Sequence, residues 1–192
     1  MDFKETQKHL TQVPKRIREQ YGYYRAFSDE IFSKGVLTAQ EKEILAIAVA
    51  HVTKCIYCIR FHTKKAKKLG VSIEELLEAV TITGAIEAGN TLYAYQENRE
   101  KADYFPNHSA DRLSYIDPAK KEGVLSKKIR LLTIVAVSHA LPSASLQQKS
   151  LQQARENGLS DAEIEDAILV TAALKAGGAV SHAAELVSEY ND

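Results

Sequence analysis

The sequence predicts an all-α protein, and three observations predict it. Apolar residues recur at helical spacing along most of the 192 residues, while no stretch alternates convincingly with period two. Ser or Thr followed three positions later by Glu, together with isolated glycines, stands where helices would start and stop. The pattern also occurs twice. Displaced by 88 residues, Leu37–Asn90 lies over Leu125–Gly178 without a gap, and 13 of the 54 paired positions are identical, well over twice what chance would leave. Two tandem copies of a three-helix unit behind an N-terminal helix is the economical explanation.

The elements follow in order. Ile17, Tyr21, Tyr24, Phe27 and Ile31 give Pro14–Lys34 a helical stripe, so residues 1–35 are read as an N-terminal helix. The first copy, 36–103, opens with a Thr38–Glu41 capping box and a helix through Ile44, Leu45, Ala48 and Val52. A second helix spans Cys55 and Cys58 and stops at Gly70. A third starts at Ser72–Glu75 and runs through Leu76, Val80 and Thr83 toward Gly89. Residues 104–123, with Pro106, Asn107, Asp117, Pro118 and Gly123, read as a connecting loop. The second copy, 124–192, repeats the stop at Gly158 and the cap at Ser160–Glu163, and Pro142 marks the same break between its first two helices. A single pseudo-symmetric domain, 1–192, is expected, because a three-helix copy alone would bury too little.

Composition narrows the class of function. Twenty-five basic residues balance 25 acidic ones, so no global field favours nucleic acid or a membrane surface as partner. No apolar run is expected to reach the roughly 18 residues that cross a bilayer, and the polar start MDFKETQKHL has no signal-peptide core. Two cysteines are too few for a disulfide framework and fit working thiols in a cytoplasmic protein.

The chemistry-bearing residues cluster in the first copy. On a helix from Cys55 to Leu69, Cys55, Cys58 and His62 would share one face, and an adjacent antiparallel helix could bring Glu43 to them. Two thiols with a base can close and open a disulfide and manage its protons. The repeat supplies an internal control. Glu43, Cys55, Cys58 and His62 face Leu131, Ser143, Leu146 and Ser150 in the second copy, so scaffold residues persist while all four disappear together.

Tyr57 and His51 are the pocket candidates. Tyr57 would line the pocket or pack, and the survival of His51 as His139 in the second copy favours a structural or interface role. Lys64, Lys65, Lys67 and Lys68 read as a solvated face near a helix C-terminus, Tyr21, Tyr23 and Tyr24 as packing, and Gly177-Gly178 as a helix end or close-approach point. A zinc site built on the same cysteines and His62 is a rival, but a second metal knuckle is absent and no metal is expected. A non-enzymatic redox switch would use the same residues. A thioredoxin-like Cys-x-x-C lacks its βαβ context.

The pattern Glu43, eleven residues, Cys55-Ile-Tyr-Cys58, three residues, His62 resembles the carboxymuconolactone decarboxylase superfamily, in its alkyl hydroperoxidase D-like (AhpD-like) branch. The resemblance is strong over Val36–Tyr93 and degenerate over Val124–Leu186. It implies an AhpD-like helical bundle and a thiol-dependent peroxidase or disulfide oxidoreductase, with Cys58, Cys55, His62 and Glu43 as its proton relay. It also implies no bound cofactor, a hydroperoxide or disulfide substrate, an external dithiol reductant of dihydrolipoyl type, and a homotrimer rather than a hexamer or dimer. Cys58 fits as the attacking thiol because His62 is one turn away and is the one favoured, while Cys55 fits better if the helix begins there, as the more exposed and more stabilised thiolate. Lactone decarboxylation is the superfamily's other activity.

Overall fold

A computed structural model describes residues 2–100 and 122–191, and among these the chain is all helix and connection, with no strand. The N-terminal stripe, expected as one helix, is three: α1 (Phe3–Leu10), α2 (Val13–Arg16) and α3 (Arg18–Ser33). Asp2 and Glu5 form a capping box for α1. Pro14 sits in the first turn of α2, where its missing amide costs nothing, and Ile17 at φ −134°, ψ 57° cannot continue a helix.

Two matching triplets follow, α4 (Ala39–Val52), α5 (Ile56–Lys68) and α6 (Ile73–Glu100), then α7 (Lys127–Ala140), α8 (Ala144–Glu156) and α9 (Asp161–Ser181), with α10 (Ala183–Asn191) at the end. The bounds of α7 and α8 reproduce those of α4 and α5 displaced by the same 88 residues. The expected caps are present: Thr38 accepts from the Glu41 amide, Ser72 from Glu75 and Ser160 from Glu163. Gly70 and Gly158 take the left-handed φ, 85° and 84°, that ends α5 and α8. The expected loop 104–123 lies outside the described residues except for 122 and 123.

α4 and α7 form the centre and pack on each other, with α6 and α9 against both. Every residue from Lys42 to Ala50 is buried, as is every residue from Ile129 to Ser138. Leu45, Leu132 and Val49 are fully enclosed, and each such aliphatic side chain contributes roughly 1.5–3 kcal/mol. By length and composition the run Asp161–Asn191 would suffice to cross a bilayer, which corrects the sequence expectation. Here it packs in the bundle, with 44% of its most apolar window buried.

Each copy also grips the other through a carboxylate. Asp166 on α9 accepts the Leu37 amide at 2.9 Å, and its counterpart Glu78 on α6 accepts the Leu125 amide at 2.9 Å. Asp166 further pairs with Lys42 at 3.2 Å, both side chains being buried. Lys42 in turn donates to the carbonyls of Ile31, at 2.6 Å, and Lys34, tying α3 to the bundle. Gly35, at φ 106°, lies against Asp166 where any Cβ would strike the carboxylate.

Candidate active site

The turn that places the cysteines is built from backbone hydrogen bonds. α4 ends in a Schellman motif: the Cys55 amide donates to Ala50 O at 3.2 Å and the Lys54 amide to His51 O at 3.4 Å. Lys54 holds the left-handed conformation that this motif needs, at φ 55°, and its ammonium pairs with Glu87 at 2.9 Å. Cys55 then caps α5, its Sγ accepting from the Cys58 amide at 3.1 Å. It is the N-cap rather than the first helical residue, so its sulfur takes the place usually held by a hydroxyl or carboxylate oxygen. In the second copy Ser143 does this, accepting from the Leu146 amide. The cap survives in both copies; the cysteine pair exists only in the first.

Cys55 and Cys58 are joined as a disulfide, 1% and 5% exposed. Glu43 is brought from α4 onto α5. Its Oε2 accepts a 2.6 Å hydrogen bond from His62 Nδ1, and its Oε1 lies 2.8 Å from the ammonium of Lys65. The carboxylate is buried yet both oxygens are engaged, as burial of a charge requires. With Nδ1 donating to Glu43, the remaining nitrogen, Nε2, is the one free to take or give a proton. Phe32 stacks on the imidazole at 5.3 Å and Phe61 meets it edge-on at 5.2 Å, which restricts its orientation.

Cys58 and His62 line one cavity of about 430 Å³ together with Tyr21, Tyr24, Phe32 and Lys65. Burial holds the phenols of Tyr24 and Tyr57 above the ordinary tyrosine range, with neighbouring Tyr21 adding to it, so they are neutral donors. Cys55 faces instead a smaller groove of about 280 Å³, lined by Lys54, Arg60, His182 and Glu185 among others. Tyr57 borders both spaces and stacks between Phe3 at 5.3 Å and Phe61 at 6.0 Å. His51 stands apart from both: its Nδ1 bonds to Ile47 O, as His139 does to Val135 O, each at 2.8 Å.

Two residues of the site were not singled out from sequence. Lys65 belongs to the lysine run whose composition predicts a solvated face, yet it is three residues beyond His62 and therefore beside it on α5. Ser181, at the end of α9, has its Oγ 3.0 Å from Cys55 Sγ and 3.8 Å from Cys58 Sγ. It lies past the paired segment, which closes at Gly178, so the repeat carries no signal for it. Gly177 and Gly178 lie within α9, not at its end, and a Cβ on Gly177 would come within 3.3 Å of Tyr24 Oη. Among the described residues, no group of three or more His, Cys, Asp or Glu side chains stands in an arrangement that would hold a metal.

Comparison with known proteins agrees with this architecture. The chain is 38% identical over 66 residues to "Uncharacterized protein 4 in cox locus" of Paracoccus denitrificans, a match covering 34% of this chain and 60% of that one. It thus spans less than two thirds of that relative's length. The sequence profile of the Carboxymuconolactone decarboxylase family matches residues 19–96 and 109–189, one stretch over each copy of the helical unit. With matching profile segments over most of its length, an all-helical bundle and a doubled three-helix unit, the chain belongs to the carboxymuconolactone decarboxylase family.

Proposed function

We propose that this protein is a thiol-dependent hydroperoxidase or disulfide oxidoreductase of the AhpD-like branch. One observation carries the reading: a Cys58 paired with Cys55 shares a cavity with His62, whose other nitrogen is held by a buried carboxylate. The Cys58 thiolate attacks the terminal oxygen of a hydroperoxide. The O–O bond breaks, Cys58 becomes a sulfenic acid, and the alkoxide takes a proton from the imidazolium of His62. Cys55 thiolate displaces water from that sulfenic acid, with one proton, to give the disulfide. An external dithiol, of dihydrolipoyl type or similar, returns two electrons by exchange. A disulfide substrate would enter the same cycle without the peroxide step.

A cytoplasmic setting fits a dithiol that must be kept reduced. A homotrimer is the assembly we expect, and Ile56, Ile73, Leu77 and Val124 supply exposed apolar surface for it. Sedimentation velocity decides this directly, a monomer being the adverse result.

The test of function is consumption of an organic hydroperoxide, with a dithiol, by wild type and by Cys55→Ser, Cys58→Ser and His62→Ala. Turnover lost in both cysteine variants supports the reading. If wild type consumes no hydroperoxide and its disulfide resists dithiols, the reading fails. A disulfide that opens without any peroxide turnover favours the disulfide oxidoreductase form.

A further inference from the structure

The second copy, stripped of its own cysteines, still delivers one group to the reacting sulfurs. We propose that Ser181 fixes the direction in which the disulfide opens, making Cys55 the leaving thiolate and Cys58 the sulfur that the reductant attacks. The proposal rests on the dithiol chemistry above and adds to it which sulfur does what.

The argument starts from a competition for a single proton. Ser181 Oγ lies 2.8 Å from Gly178 O and 3.0 Å from Cys55 Sγ, and it has one hydrogen to give. A disulfide sulfur is a weak acceptor, so in the oxidised protein the hydroxyl donates to the carbonyl. A Cys55 thiolate is charged and a far stronger acceptor, and it captures that proton as a charge-assisted bond. Cys55 also has the Cys58 amide at 3.1 Å and the N-terminus of the 13-residue helix α5. Two donors and a helix end thus await negative charge on Cys55. Cys58 Sγ is 3.8 Å from the same hydroxyl, a weak contact at best.

Access separates the two sulfurs in the same sense. Cys58, 5% exposed, opens on the larger cavity beside His62, whereas Cys55, 1% exposed, borders only the smaller groove. The incoming thiolate therefore bonds to Cys58 Sγ. The S–S electron pair leaves on Cys55 Sγ, where Ser181 and the Cys58 amide hold it. The donor's second thiol then displaces Cys58, which takes its proton from His62 or from solvent, and the donor leaves oxidised. Thiol–disulfide exchange runs faster when the departing sulfur is the more stabilised thiolate, so the geometry and the chemistry choose the same sulfur.

Two measurements test this, and neither uses peroxide. First, oxidised wild type is opened with 2-mercaptoethanol, quenched with an alkylating agent and mapped by mass spectrometry. The adduct is expected on Cys58 and the alkyl group on Cys55; the adduct mainly on Cys55, reached through the smaller groove, overturns the proposal. Second, the Cys55 thiolate is titrated by its ultraviolet absorbance in Cys58→Ser, with Ser181 intact, as Ser181→Ala and as Ser181→Thr. The Ala variant should raise the midpoint by about one to two pH units, the size of a hydrogen bond to a charge, and Thr should restore it. An unchanged midpoint in a folded Ala variant overturns the proposal. Should wild type fail to consume hydroperoxide, only the peroxidase form of the function above falls, while both readouts still stand or fail by themselves.

Discussion

Glu43 and His62, nineteen positions apart and on different helices, meet through a 2.6 Å hydrogen bond inside the bundle. The bond crosses from α4 to α5, so the imidazole beside the cysteines is aimed by the central helix of the core and not by the flexible end of a loop. Second partners of this kind fix a ring's tautomer and orientation, which is why their loss is felt in rate more than in fold.

Glu43→Gln is accordingly expected to lower kcat/KM for the hydroperoxide by about 10²–10⁴-fold while leaving the helical circular dichroism unchanged. The amide keeps the volume and one acceptor oxygen but loses the charge. Retention of activity within about threefold would show that His62 needs no carboxylate to work.

Lys65 should matter less, and differently from its neighbours. Its side chain is 42% exposed, and its ammonium occupies the second oxygen of Glu43 while lying over the rings of Phe32 and Phe61. Lys65→Met is expected to cost about tenfold in kcat/KM, the size of a hydrogen bond to a charge reduced by solvent. Lys64→Met, which lifts an exposed cation from the ring of Phe3, should change nothing measurable. Equal losses in steady-state kinetics of the two variants would mean that the whole basic run acts as one field.

Much of this is legible in the amino-acid sequence. The capping residues Thr38, Ser72 and Ser160 and the stops Gly70 and Gly158 act through bonds within four or five residues, so local sequence suffices to place them. The four residues absent from the second copy stood out because the repeat separates scaffold from chemistry. What stayed hidden is tertiary. Ser181 and Asp166 act across more than a hundred residues of chain, and no spacing rule links a serine at the end of α9 to a cysteine at the start of α5. The break at Ile17 was missed because the apolar stripe continues through it, and periodicity does not register a single residue out of helical conformation. Lys65 is hidden in a run of lysines, whose composition predicts a solvated face and masks its position three residues after His62.

The buried Lys42–Asp166 pair should be strongly asymmetric to mutation. Removing one partner leaves an uncompensated charge in the core, so Lys42→Met is expected to destabilise by about 3–5 kcal/mol in urea unfolding. The double variant Lys42→Met with Asp166→Leu should recover only part of this, because the Leu37 amide then loses its acceptor. A single-variant cost below about 1 kcal/mol would mean that water reaches the pair on substitution.

Acid should loosen a second brace, on the surface. Lys128 lies 3.1 Å from Glu41 and 2.8 Å from Glu163, so it links the capping boxes of α4 and α9. The Lys128 ammonium, and after it the amide and hydroxyl of Ser160, hold the Glu163 carboxyl down from 4.5 to about 2. A carboxyl depressed in the folded state contributes its stability above its unfolded value and loses it as pH falls through its folded value. The contribution is therefore complete above pH 4.5 and fades on the way down to about 2. Both side chains are partly exposed, 38% and 23%, so solvent screening limits the effect to about 1 kcal/mol. Lys128→Met removes the larger cause and leaves the Ser160 cap in place. The gap in unfolding free energy between wild type and this variant should shrink across that window and should also shrink in high salt. A gap that stays constant on acidification would assign Lys128 a packing role, through its methylene chain, in place of an electrostatic one.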